Sequence, residues 1–218
     1  MGYKMMFSEI TPYFIDFLKG LEISLIISIV GMLFGSFIGL LAAFGKTSSV
    51  YIINLPVNIY VEIFRNSPLL IQMYLLYFGL AQFNIQIPAL TVAIIALILN
   101  NGAYTAVIFQ TGINAVRKEQ HEAAYALGMT YFQTIRYIVL PQAFRIVIPP
   151  LTNQFISIFL FSSVASTIAV SELTYTTMNL EAITLRSFEI FIIAGTLYLI
   201  VTTAISFLSR VYENSFKY

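Results

Sequence analysis

Uncharged stretches of membrane-spanning length recur along the chain. The first runs from Ile23 to Phe44, about 22 residues or about 33 Å of helix, matching a hydrocarbon core of about 30 Å. The stretch from Asn66 to Val116 is too long for one crossing, and Gly79, Gln82, Asn84, Gln86 and Pro88 interrupt it, predicting two helices joined by a short loop. Two more, from Ile146 to Ser171 and from Ile190 to Ser209, are again of spanning length. The pattern predicts an all-α integral membrane protein with five transmembrane helices, at 21–45, 56–80, 89–116, 146–171 and 188–210, within one domain over 1–218.

Before the first span, Phe7, Ile10, Phe14, Phe17 and Leu18 recur at helical spacing, which predicts a short helix lying in the outer interface. The first apolar run exceeds the h-region of a signal peptide and follows Asp16 and Glu22, so it reads as a retained helix. Five spans place the chain ends on opposite sides. Lys46, Arg117, Lys118, Arg136, Arg145, Arg210 and Lys217 gather on one side, against Lys4, Lys19 and Arg186 on the other. The excess marks the cytoplasm, so the N-terminus is outside and the C-terminus inside.

Composition strengthens this picture. The chain is 59% hydrophobic and 10% charged, against about 45–50% and about 25% for soluble domains. Its formal net charge of +1 gives no argument for a nucleic-acid partner. Without cysteine there is no disulfide framework, thiolate metal site or thiol nucleophile.

The longest inside loop, 117–141, lies between the third and fourth spans. It opens on the polar run from Arg117 to Glu122 and continues as an amphipathic element. Within it stand Glu122-Ala123-Ala124, three residues, Gly128, nine residues, then Ile138-Val139-Leu140-Pro141. The two alanines allow close approach to another surface, Glu122 suits a helix start, and Gly128 can end the helix with positive φ. Seven fixed positions at this spacing resemble the EAA loop of ABC importer permeases. The segment from Tyr60 to Gln72, Asn101-Gly102-Ala103-Tyr104, the run from Leu140 to Arg145 and the run from Pro149 to Ser157 extend the resemblance. Together they cover nearly the whole chain after the first loop and resemble the polar amino acid uptake branch, the histidine, glutamine and arginine permeases. That branch commonly carries Lys and an acidic or small polar residue after Ser157, where Leu160-Phe161 stand here. A charged contact at that point is therefore not carried over.

The resemblance implies a coupling helix in which Glu122, Ala123, Ala124 and Gly128 meet an ATP-hydrolysing subunit. It further implies two such subunits per complex, a second permease chain, identical or related, and an extracellular or periplasmic amino-acid-binding protein. The setting it implies is the plasma membrane of a prokaryote, the cell inner membrane where there are two. The chain itself then binds no cofactor, ATP-Mg being held by the partner subunit. A competing phosphate loop over Gly39 to Thr47 fails, because five residues rather than four separate its glycines and no strand precedes it.

Polar groups at membrane depth are costly and face protein or a water-filled cavity. Gln72, Asn100, Asn101, Ser162, Ser163 and Thr167 fall at similar depth on three predicted spans and form the expected substrate pathway. Hydrogen bonding between helices is the alternative for each of them. Ser24, Ser28, Gly31, Gly35, Gly39 and Ala43 make a small-residue stripe that reads as packing. Glu62 and Arg65, three apart, are expected to neutralise each other near the inner interface as a structural pair, with gating as the alternative. His121 reads as solvated, and no metal site is expected. Glu172, Glu181, Arg186 and Glu189 read as solvated charges of the last outside loop, on the side a binding protein would meet. The expected function is a permease subunit working by alternating access, with an ion-coupled secondary transporter as the alternative class.

Overall fold

The computed structural model describes residues 5–116 and 118–215, and of His121 and residues 213–215 the backbone only. Lys4, Arg117 and Lys217 of the charge distribution, and the side chain of His121, lie outside the described residues. Every described element is helical. Two 3₁₀ turns, Phe7–Glu9 and Thr11–Tyr13, lead into α1 (Phe14–Thr47). Then come α2 (Tyr51–Asn66), α3 (Leu69–Gln82), α4 (Ala89–Asn114) and α5 (Lys118–Ala126). The chain ends with α6 (Tyr131–Ile168), α7 (Leu173–Thr184) and α8 (Ser187–Ser215).

Four of the described helices, α1, α4, α6 and α8, are long and apolar enough to cross a membrane. The stretch expected as one span at 56–80 is instead divided between α2 and α3. Pro68 disfavours the α conformation at the residue before it, and Ser67 is accordingly extended at φ −117° and ψ 143°.

Helix α1 is 34 residues long, about 51 Å at helical rise, with Asp16 in its first turn and Lys46 in its last, the placement its dipole favours. The separate interfacial helix expected over Phe7 to Leu18 does not form: the two 3₁₀ turns precede a helix already continuous from Phe14. Ile10 and Phe17 are buried against Leu173, Leu180 and Ile190, so protein rather than lipid holds this segment.

The small-residue stripe packs as expected. Ser24, Ser28, Gly31, Gly35, Gly39 and Ala43 are all buried in α1. A Cβ on Gly35 would sit 2.6 Å from Asn101 Nδ2, and one on Gly39 would strike Thr105 Oγ1, so both glycines are required by the approach of α4. A core of Ile27, Leu69, Met73, Val92, Ala96, Leu97, Ile158, Ala165 and Ile168 then joins α1, α3, α4 and α6.

Helix α6 begins at Tyr131, well inside the expected loop. Thr130 caps it: its Oγ1 accepts from Gln133 N at 3.3 Å while Gln133 Oε1 accepts from Thr130 N at 2.8 Å, a reciprocal box that a T-x-x-Q spacing encodes. A π turn follows at Ile135–Val139. Pro141 has no N–H for the carbonyl four residues back and its ring crowds that carbonyl, which accounts for the wider turn just before it.

Two of the charges expected to be solvated are buried. Glu172 and Glu189 are both 0% exposed. Glu172 caps α7, with Oε1 accepting from Tyr175 N at 2.8 Å and Oε2 from Ser24 Oγ and Tyr198 OH at 3.1 Å each. It thereby ties α1, α7 and α8 together. Glu189 Oε1 accepts from Met6 N at 3.0 Å, and Arg186 bridges it to Glu9. The carboxylates hold the N-terminal segment to the last loop.

Candidate functional site

Two regions bring the sequence-predicted residues into view. The first is the break between α2 and α3. A helix end leaves its last carbonyls without intrahelical donors, and they must find them elsewhere. Pro68 has no N–H to fold back. Side chains take its place: Ile63 O accepts from Ser67 Oγ at 2.7 Å, Phe64 O from Gln72 Nε2 at 3.0 Å and from Asn100 Nδ2 at 3.2 Å, and Arg65 O from Tyr104 OH at 3.3 Å. Gln72 Nε2 also donates to Ser67 O, and its Oε1 accepts from Asn100 Nδ2 at 3.2 Å. Gln72 and Asn100, predicted on separate spans, therefore form one buried unit.

The other expected pathway residues are placed differently. Asn101 turns away from this unit and donates to Gly31 O and Met32 O of α1. Ser162 is buried and donates to Phe159 O; Ser163 donates to Leu160 O and Thr167 to Val164 O, within the 3₁₀ end of α6. That end packs on α3 through Ala165 and Ile168 against Leu69 and Met73, which brings Ser162–Ile168 near the break. Ser163 also borders a cavity of about 390 Å³ with Leu160, Thr174, Thr177, Gly195 and Tyr198. None of these lining groups carries a charge.

Glu62 and Arg65 do not pair with each other. Glu62 Oε2 accepts from Asn66 Nδ2 at 2.7 Å, and the Arg65 guanidinium lies 5.5 Å from the centre of the Tyr104 ring. The one-turn spacing permits the expected ion pair, but each partner finds a neighbour on its other side. Tyr104, whose hydroxyl and ring both serve this corner, is a residue that the sequence reading quoted without giving it a role.

The second region is the loop helix. In α5, Glu122 is exposed and pairs with Lys118 at 3.4 Å, Ala123 is exposed, and Ala124 is 3% exposed. Gly128 takes φ +78°. Its N–H bonds Tyr125 O at 2.9 Å, while Met129 N bonds Ala124 O at 3.1 Å and Leu127 N bonds Ala123 O at 3.1 Å. This paired closure is a Schellman turn. Around it Tyr125, Leu127, Tyr131, Phe132 and Tyr137 are exposed. A cluster of exposed aromatic and aliphatic groups beside a charged helix has the composition of a protein-binding surface. Aromatic residues flanking a polar loop are the sequence signal for it. Among the described residues no group of His, Cys, Asp and Glu suited to a metal is present.

Residues 14–218 match the family model of the binding-protein-dependent transport system inner membrane component. The glutamine transport system permease protein GlnP of Escherichia coli strain K12 is 35% identical over 212 residues, covering 96% of this chain and 97% of GlnP. The arginine transport system permease protein ArtQ of Bacillus subtilis strain 168 is 32% identical over 212 residues, covering 97% of both chains. Among solved structures, a chain of an amino acid ABC transporter superposes with a TM-score of 0.93 at 36% identity, over 98% of this chain and all of that one. A chain of the MetNI methionine ABC transporter shares the fold at TM-score 0.80 and 20% identity, over 94% and 97% of the two chains.

Proposed function

This chain belongs to the family of binding-protein-dependent transport system inner membrane components, and on that premise we propose that it is the permease subunit of an ATP-driven importer of polar or charged L-amino acids. The observation that carries this reading is the EAA segment, held on a helix that packs on the start of α6 through the buried Ala124 while Glu122 and Ala123 stay exposed, its end closed by Gly128. A surface of this kind suits docking to an ATP-hydrolysing subunit inside the cell. This chain itself binds no nucleotide.

In this reading the chain crosses the membrane five times, α2 and α3 together making the second crossing, with the N-terminus outside. A second permease chain, identical or related, completes the pathway, and a binding protein delivers the amino acid to the outer face. Gln72 and Asn100 shape the break that borders the pathway, Asn101 fixes α4 against α1, and Ser162, Ser163 and Thr167 form its polar wall on α6. Alternating access follows from movement of α5 transmitted through the π turn into α6.

Uptake by proteoliposomes carrying the assembled complex tests this. Import of radiolabelled L-glutamine, L-arginine or L-cystine is expected only with ATP inside and binding protein outside. Import driven by an ion gradient without either component would establish the secondary-transporter class instead.

A further inference from the structure

We propose that Glu62 and Arg65 form the receptor for the ammonium and carboxylate of the travelling amino acid, an inference that rests on the transport reading above. Both side chains are exposed on the chain. Tyr104, over which Arg65 lies, is ten residues from the Asn114 end of α4, about 15 Å along the helix, which places this corner within the hydrocarbon thickness. Charges at this depth belong on water-filled or protein-covered faces, not on lipid.

The distribution of exposed groups identifies which face that is. Along the middle of α1, from residue 26 to 41, the exposed groups are Ile26, Ile29, Leu33, Phe34, Phe37 and Leu41, a surface for lipid. The end of α2 exposes Glu62, Arg65 and Asn66 together with Ile59 and Ile63, so charge and amide groups interrupt an otherwise apolar surface there. The register of α4 on α6, with Leu97 and Ile158 meeting at Gly31 and Gly112 against Val147, puts the exposed Asn153 at the same level.

The buried polar groups near this depth have their donors committed, while Asn101 Oδ1 accepts from no group among the described residues and Asn153 is exposed. Gln72, Asn100, Asn101 and Thr105 each donate to backbone carbonyls. Glu62 and Arg65 are the ionised pair, and they do not neutralise each other: an amide holds one and an aromatic face orients the other. A zwitterion presents an ammonium and a carboxylate only a few bonds apart. The guanidinium fork can hold the carboxylate in two parallel hydrogen bonds, and the Glu62 carboxylate can accept from the ammonium one turn away. Such a receptor reads the part common to every amino acid and leaves the side chain to other contacts.

The test uses the assembled complex in proteoliposomes with the three labelled amino acids named above, comparing wild type with Arg65→Gln, Arg65→Lys and Glu62→Gln. Uptake and equilibrium retention of label are both measured, together with co-purification of the second permease chain and the ATPase. Arg65→Gln and Glu62→Gln are expected to lower retention and uptake at least tenfold with all partners still present. Arg65→Lys, which keeps the charge without the fork, is expected to fall between. Wild-type retention and uptake in Arg65→Gln would overturn this inference alone. Loss of the second permease chain from the Gln variants would assign the two charges to the subunit interface and overturn it as well. Absence of ATP-dependent uptake in wild type would overturn the transport reading and this inference with it.

Discussion

The last carbonyls of helices α2 and α5 are paired in opposite ways. At the end of α2, Ile63, Phe64 and Arg65 are satisfied by side chains of Ser67, Gln72, Asn100 and Tyr104, two of them from α4. At the end of α5, Ala123, Ala124 and Tyr125 are satisfied by the N–H groups of Leu127, Met129 and Gly128, the chain's own next residues. The difference originates in one residue each. Pro68 has no N–H and forces extension at Ser67, whereas Gly128 tolerates the left-handed turn that folds the backbone back. At the break, Ser67, Gln72, Asn100 and Tyr104 are occupied with backbone. In the loop the backbone closes itself, and Glu122, Ala123 and the neighbouring aromatics stay exposed.

Removing the side chains at the first end breaks the comparison most severely. Gln72→Leu leaves Ser67 O without its donor and Phe64 O with Asn100 Nδ2 alone, and is expected to cost about 2 kcal/mol, a penalty of about 1–3 kcal/mol attaching to an unsatisfied group. Denaturant titration of the purified chain in mild detergent measures it. The second end is softer. A Cβ on Gly128 meets nothing within 4 Å, so Gly128→Ala costs only the strain of positive φ, about 1 kcal/mol, in the same titration. Tyr104→Phe sharpens the contrast within the first end: it deletes a single 3.3 Å hydrogen bond and keeps the ring under Arg65, for an expected loss of about 0.5 kcal/mol.

The sequence carried the long helices because apolar runs of spanning length have few other destinations. It carried the small-residue stripe because six positions at steps of three or four define one face of α1. The break at Ser67-Pro68 is written locally, yet the uncharged run from Asn66 onward masks it within a single predicted span. Charges at Arg136 and Arg145 similarly hide the start of α6 at Tyr131, although the Thr130 and Gln133 capping pair marks it. Burial of Glu172 had no local signal at all: its partners Ser24 and Tyr198 are 148 and 26 residues away, brought together only by the packing of α1, α7 and α8. The same holds at the candidate site. Gln72 and Asn100 stand out as polar residues in apolar runs, but their union across 28 residues and their service to one carbonyl are tertiary facts.

The division of labour between the two helix ends is tested most directly by purifying Gln72→Leu and Ala123→Arg beside wild type. Denaturant stability and the amount of co-purifying ATPase are measured on each. Ala123 is exposed, so an arginine there fits without disturbing the bundle but obstructs a docking surface. Ala123→Arg is expected to keep wild-type stability and lose the ATPase, and Gln72→Leu to lose stability while its folded fraction retains the ATPase. Full retention of the ATPase by a stable Ala123→Arg chain would contradict the division of labour.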